Sequence, residues 1–107
     1  MIRPAEAPSP AAAALARDLR AAFLRLPPGL RSRCRVPPSG DAWIDRPVLV
    51  EAGDHADHHE GIIVAGPRDE AGAWLLDAAF TLLTLDDDGV TAALVRVHGW
   101  NCHVEPL

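Results

Sequence analysis

Four runs rich in β-branched and apolar residues, separated by turn signals, constrain the fold of this chain more than any other feature. Asp88 and Gly89 stand between the last two runs, and an Asp-Gly step between apolar runs is typical of a β-hairpin. Glycine or proline borders the other runs. The pattern therefore predicts antiparallel strands at residues 47–52, 61–65, 79–85 and 90–98.

The segment just before the third run is ambiguous. A helix would place Trp74, Ala78 and Leu82 on one stripe, with Asp69 as its N-cap. A strand would place Trp74, Leu76 and Phe80 on one face. The residues from 79 onward favour a strand.

A helix is predicted near the N-terminus. Ser9 followed by Pro10 is a typical helix start, and apolar residues between positions 15 and 26 recur at helical spacing. The proline pair and glycine at 27–29 end it. We therefore expect an α+β fold in which an N-terminal helix packs on an antiparallel meander sheet of four or five strands, the tail adding the last. Residues 1–8 are predicted to be a flexible arm, and 9–107 a single small domain.

Composition narrows the possible chemistry. All ten basic side chains other than histidine are arginine, which excludes lysine Schiff-base chemistry and a lysine-containing phosphate loop. The wealth of alanine and arginine suggests a GC-rich bacterial or phage genome. No apolar run approaches the roughly 20 residues that span a bilayer, and no secretory signal is recognisable. We therefore expect no membrane contact and a place in the cytoplasm or within a phage particle.

Charge is divided unevenly along the chain. Residues 1–46 carry a net charge of +4 and residues 47–107 carry −9, which together give the overall −5. An acidic protein is repelled by nucleic-acid phosphates, so nucleic acid is disfavoured as a partner. The opposite halves favour another protein, or self-assembly, instead.

Three histidines lie among carboxylates in one short segment, residues 54–60. Imidazole is a common ligand of zinc and other transition metals, and three imidazoles beside carboxylates also favour a pH-sensitive contact loop. The spacing matches no established metal motif, so a solvated hairpin tip without a cofactor is the preferred interpretation. In the metal alternative, the ligands would be His55, His58, His59 and His103.

Three arginines alternate with smaller residues at positions 30–36, where the pattern predicts an edge strand between prolines. Arginine and tryptophan dominate the energetics of many protein interfaces. The candidate partner-binding residues are therefore Arg31, Arg33, Arg35, Trp43 and Trp100.

The predicted class of function is inferred mainly by excluding other classes. Nucleophile, phosphate-binding and metal motifs are not recognisable, and Cys34 and Cys102 are expected to be structural free thiols. The leading hypothesis is a non-enzymatic protein-interaction or assembly subunit, such as a small accessory, immunity-type or phage structural protein. The alternatives are a small metal-binding protein or metal-dependent enzyme that uses residues 54–60, and an acidic inhibitor of a nucleic-acid-binding protein.

Overall fold

The computed structural model of the protein describes residues 10–35, 47–52 and 58–107. The first helix, α1, is followed by a single helical turn, α2. A 3₁₀ turn at Gly99–Asn101 joins the last two strands. The elements are α1 Pro10–Leu24, α2 Pro28–Arg31, β1 Val48–Ala52, β2 His58–Ala65, β3 Ala79–Leu85, β4 Ala92–His98 and β5 Cys102–Pro106.

The five strands form one antiparallel sheet in the order β4-β3-β2-β1-β5. The α+β class and the N-terminal helix predicted from the sequence are confirmed. The first four strands form the predicted meander. The last strand departs from it, because β5 crosses the sheet to pair with β1 rather than with β4.

That crossing forces the sheet to curl. In a flat sheet of five strands, the two edges would lie about 19 Å apart. Only three residues separate His98 from Cys102, and such a link spans at most about 14 Å even when extended. The link is a 3₁₀ turn and is shorter still, so β4 and β5 must approach each other at this point.

A glycine and a bulge lie where the sheet has to bend. Gly61 in β2 is buried, and a Cβ atom there would overlap the carbonyl oxygen of Leu83 in β3. The β2–β3 register shifts between Ile63 and Ala65. Bulges and strand glycines commonly mark sharp bends in sheets.

Each face of the curled sheet carries a buried core. The inner face carries a core from all five strands, centred on Val50, Ile63, Phe80, Leu82 and Val97, with Val104 and Cys102 of β5 packed against it. The opposite face, here called the helix face, buries Ile62, Val64 and Leu83 against α1.

Small residues let α1 approach the sheet closely. Ala12, Ala16, Leu19 and Ala22 are the buried positions of the helix, and they recur at intervals of three and four as a single stripe. Three of the four are alanine, so the helix backbone can lie close to the strands. The apolar stripe predicted from the sequence is confirmed at Leu19 and Ala22.

The segment between β2 and β3 is a folded loop rather than the start of a strand or a helix. The Asp69 carboxylate accepts hydrogen bonds from the amides of Ala71 and Ala73 at 2.9 and 3.0 Å, so it organises a turn instead of capping a helix. The Arg68 guanidinium lies 4.0 Å from the Trp74 ring centroid. The strand begins at Ala79, as predicted, but residues 74–78 form only an isolated bridge at Trp74 followed by a turn, so the strand interpretation of residues 74–78 is wrong.

The predicted edge strand at residues 30–36 is also wrong over the described part, up to Arg35. Pro28 opens the helical turn α2, and the amides of Ser32, Arg33 and Cys34 continue the series of turns. Proline fits the first turn of a helix because its missing N–H has no partner there. The prolines that end α1 therefore also begin α2.

Some predictions fall on residues outside the described ranges, namely the arm at 1–8 and the capping role of Ser9. No helix within the described residues is long and apolar enough to cross a membrane.

Replacing Gly61 with alanine tests the close approach of β2 and β3. The new methyl group must displace the Leu83 carbonyl, and we expect Gly61→Ala to lower the free energy of unfolding by roughly 1–3 kcal/mol. The matched control is Gly29→Ala in α2, where no atom lies within 4 Å of the new Cβ. That variant should be neutral, or more stable by up to about 1 kcal/mol. Equal effects of the two variants in urea unfolding would contradict the packing described here.

Candidate interaction surface

The outer edge of β4 presents a row of backbone groups without a strand partner among the described residues. Two hydrogen bonds show which residue pairs of the β3–β4 ladder are hydrogen-bonded. They run from Asp86 N to Thr91 O at 2.8 Å and from Gly99 N to Ala78 O at 3.2 Å, at the two ends of the ladder. Antiparallel pairs alternate between bonded and non-bonded. The outward N–H and C=O groups therefore belong to alternate residues of the strand, which are Ala92, Leu94, Arg96 and His98.

The outer edge of β5 is protected by comparison. The hydrogen bond from Leu107 N to Pro47 O, at 3.0 Å, shows which residue pairs of the β1–β5 ladder are hydrogen-bonded. The backbone groups of Cys102, Val104 and Pro106 therefore point away from β1, toward the outer edge. Pro106 has no N–H to offer. A proline at this position is a common means of blocking strand addition, which leaves β4 as the more accessible edge.

Two exposed apolar side chains flank β4. Val90 precedes the strand and is 53 % exposed, and Trp100 follows it and is 72 % exposed. Each lies five residues from Val95, the centre of the strand. Large exposed apolar groups at one edge are typical of interaction sites.

The turn that carries Trp100 is fixed tightly to the rest of the fold. Gly99 is buried, and a Cβ there would overlap the carbonyl oxygen of Leu76. The side chains of Leu75 and Leu76, in this same neighbourhood, are 36 % and 41 % exposed. Trp100 therefore follows a closely packed, hydrogen-bonded backbone position, near other exposed apolar residues.

A groove adjoins Val90 at the other end of β4 and is here called the Val90 groove. Its volume is about 270 Å³. The Arg25 guanidinium reaches across it and donates from Nη1 to the Val90 carbonyl at 3.2 Å. The other residues that form it come from α1, the following turn and the start of β4; Thr91 is polar, and the rest are apolar, namely Ala22, Leu26, Pro27 and Ala92.

The turn that positions Val90 is held by one carboxylate. Asp88 accepts hydrogen bonds from the amides of Val90 and Thr91, both at 2.8 Å, and from the Thr91 hydroxyl. These bonds, led by the one from the Thr91 hydroxyl, lower the pKa of Asp88 to about 2. The turn is thus tied together by a charged side chain at neutral pH.

The histidines predicted as metal ligands are divided between the two sheet faces. His58 and His59 belong to β2 rather than to a loop, so they point to opposite faces. His59 pairs with Val50 on the inner face. His58 is on the helix face.

His103 shares the helix face with His58 but lies two strands away, with Glu51 of β1 between them. Its Nε2 contacts a carboxylate oxygen of Glu105 at 3.3 Å. Within residues 10–35, 47–52 and 58–107, no group of three histidine, cysteine or acidic side chains is arranged to hold a metal ion. His55 lies outside those ranges, and the metal alternative stays a prediction.

The predicted arginine row does not lie on a strand. Arg31 ends α2, and its Nε atom is buried without a hydrogen-bond partner among the described residues. Arg33 and Arg35 are exposed in the segment that follows. The Arg35 amide donates to the Val64 carbonyl at 2.6 Å, which ties this segment to β2. Trp43 lies outside the described residues.

The two thiols occupy partly buried positions, consistent with the structural role expected of them. Cys34 packs against the helix-face core, and its Sγ donates to the Leu30 carbonyl at 3.6 Å. Burial raises the pKa of the Cys34 thiol, which disfavours the reactive thiolate at neutral pH. Cys102 packs on the inner face.

Comparison with known proteins gives no relative: no family model, no curated protein and no solved structure matches this chain. Of the surface described above, sequence reasoning found Trp100 and missed Val90 and the groove beside it. The sequence pattern placed Val90 inside the predicted strand 90–98, whereas β4 begins at Ala92 and leaves Val90 in the preceding turn.

The Asp88 turn predicts a specific loss of stability in acid. The pKa of Asp88 is about 2 in the folded chain and about 3.9 in an unfolded one. The ionised carboxylate therefore stabilises the folded chain, and this stabilisation is complete at pH values above the unfolded pKa. It is lost as the pH falls toward 2. In urea unfolding, Asp88→Asn should therefore destabilise the protein more at pH 5 than at pH 2.5. The control is Asp87→Asn, whose side chain makes no hydrogen bond to the described residues, and whose effect should not follow this trend. Equal losses for Asp88→Asn at both pH values would contradict the role of its charge.

Proposed function

We propose that this protein is a non-enzymatic protein-interaction or assembly subunit that binds its partner through Trp100 and the outer edge of β4. The observation that carries the proposal is the 72 % exposure of Trp100. Tryptophan has a large apolar area, and such residues are among the commonest energetic centres of protein interfaces.

Rigid presentation supports the same proposal. Gly99 fits against the carbonyl of Leu76, and its amide is bonded to Ala78, so the backbone beside Trp100 is already ordered before a partner arrives. A pre-organised anchor loses less conformational entropy on binding than a mobile one.

The β4 edge supplies the second component of a binding surface. Its outward amides and carbonyls can pair with an added strand, and main-chain hydrogen bonds of this kind provide affinity in many complexes. Arg96 and His98 on the helix face of β4 add positive or titratable groups beside that edge.

The opposite part of the helix face is acidic. Glu51 and Glu60 are exposed on β1 and β2. Within the sheet, the arginine of β4 therefore lies at one edge, and these carboxylates lie on strands further from that edge. Such polarity favours oriented association with another protein.

Photo-crosslinking from position 100 tests the proposal in the cells that make the protein. Trp100 is replaced by benzoyl-phenylalanine, which keeps an aromatic ring at the site. The control carries the same group at Glu105, whose side chain is 51 % exposed on the other edge of the sheet. We expect a light-dependent adduct of defined mass from position 100 and not from position 105.

The same experiment provides the contrary outcome. If position 100 gives no adduct, or the same diffuse set as position 105, the interaction role of Trp100 is wrong. For a partner identified in this way, Trp100→Ala should weaken binding by at least about 2 kcal/mol, or roughly 30-fold.

A further inference from the structure

We propose that the partner is a second copy of this chain, that the two β4 strands pair antiparallel across a two-fold axis, and that Trp100 of each copy binds in the Val90 groove of the other. This inference rests on the proposed function and names its partner. Two-fold dimers use the same surface patch on both subunits, so the patch has to be complementary to itself.

The β4 edge meets this requirement in one register. When Val95 lies opposite the partner's Val95, the strands overlap over their full length, and all four outward residues meet outward residues of the other copy. Each such pair exchanges two N–H···O bonds, about eight in total. The edge then has no unpaired segment.

Side chains in this register are compatible on both faces. On the helix face, Arg96 lies opposite the partner's Leu94, and His98 lies opposite the partner's Ala92, so like charges are not directly opposed. On the inner face, the residues that meet are Ala93, Val95 and Val97, all apolar. Cross-strand pairs of this kind stabilise a sheet.

The flanking residues provide an independent reason for the same register. Because Val90 and Trp100 are equally distant from Val95, the two-fold axis that centres the strands also places each Trp100 opposite the partner's Val90. The exposed apolar side chain at one end of β4 then covers the exposed apolar side chain at the other end. Two of the most exposed apolar groups of the surface are buried together.

The Val90 groove suits an indole ring. Its volume is about 270 Å³, and Ala22, Leu26 and Pro27 line it. Arg25 also lines it, and its guanidinium can rest on the face of the partner's Trp100 in a cation–π contact. An apolar cleft with one cation is a well-matched receptor for tryptophan.

Self-pairing through β5 is the poorer alternative. Pro106 removes a donor from that edge, and β5 has five residues where β4 has seven. A foreign strand could use the β4 edge, but it would need its own tryptophan at the matching distance. A second copy already carries one there.

Sedimentation velocity of the purified, reduced, full-length protein tests the proposal. We expect the wild-type chain to form a reversible dimer as its concentration rises. Trp100→Ala and Val90→Asp should each weaken the dimer by about tenfold or more, because each removes one half of both contacts. Both positions are exposed, so the fold should persist, which circular dichroism and urea unfolding verify. Glu105→Ala is the control and should dimerise like the wild type.

Mixing the two variants gives the decisive measurement. A dimer of one Trp100→Ala chain and one Val90→Asp chain keeps a single intact contact, between the tryptophan of the second and the groove of the first. The mixture should therefore associate more tightly than either variant alone, a gain that misfolding cannot produce. A mixture no tighter than its components overturns the proposal, as does a wild-type dimer that neither variant weakens.

The two proposals fail separately. A wild-type chain that stays monomeric at all concentrations overturns the self-pairing. If crosslinking from position 100 still captures a different protein, the interaction role of Trp100 stands without it. If position 100 captures nothing and the chain is monomeric, both proposals are wrong.

Discussion

The three residues between β4 and β5 set the shape of the whole sheet. They join its two edge strands over a distance that a flat five-stranded sheet could not allow. The sheet must curl, and curling creates the inner face on which all five strands bury side chains. The helix face and α1 then form a second core on the outside.

The same constraint produces the candidate surface. Among the described residues, the two edges of the curled sheet are not paired with each other, and the connecting turn lies at one end of the seam between them. Gly99 lets that turn pack against residues 76–78, which leaves Trp100 outside. The exposed tryptophan is thus a consequence of how the sheet closes, and it lies beside the edge that has no proline.

Much of the fold was predictable from local patterns, because hydrophobic period and turn residues act over short distances. The first helix, the β1–β2 hairpin, the strand from Ala79 and the hairpin at Asp88 were all predicted. The start of β2 was not, since His58, His59 and Glu60 carry no apolar signal and join the strand only through pairing with β1. Pro27 and Pro28 were interpreted only as the end of α1, whereas Pro28 also begins α2.

The parts that could not be predicted depend on contacts between distant residues. No local pattern indicates that β5 pairs with β1, because that choice follows from the curl of the whole sheet. Only part of the candidate surface could be predicted, because the other part also depends on contacts between distant residues. Trp100 is conspicuous as a residue type, whereas the Val90 groove exists only where the end of α1 meets the start of β4. His58 and His59 are the opposite case: they are neighbours in sequence, but they belong to β2 and therefore point to opposite faces of the sheet.

The position of β5 is the claim on which the curl, the inner core and the open β4 edge all depend. Its most direct test is the nuclear Overhauser effect between α-protons of facing strands in solution. Val50 and Val104 form a non-hydrogen-bonded pair of the β1–β5 ladder, in which the two backbones approach most closely. A strong cross-peak between their α-protons is the expected result. If that peak is missing and β5 instead shows cross-strand contacts to β4, such as His103 to Val97, the tail has folded back as a simple hairpin and the architecture described here is wrong.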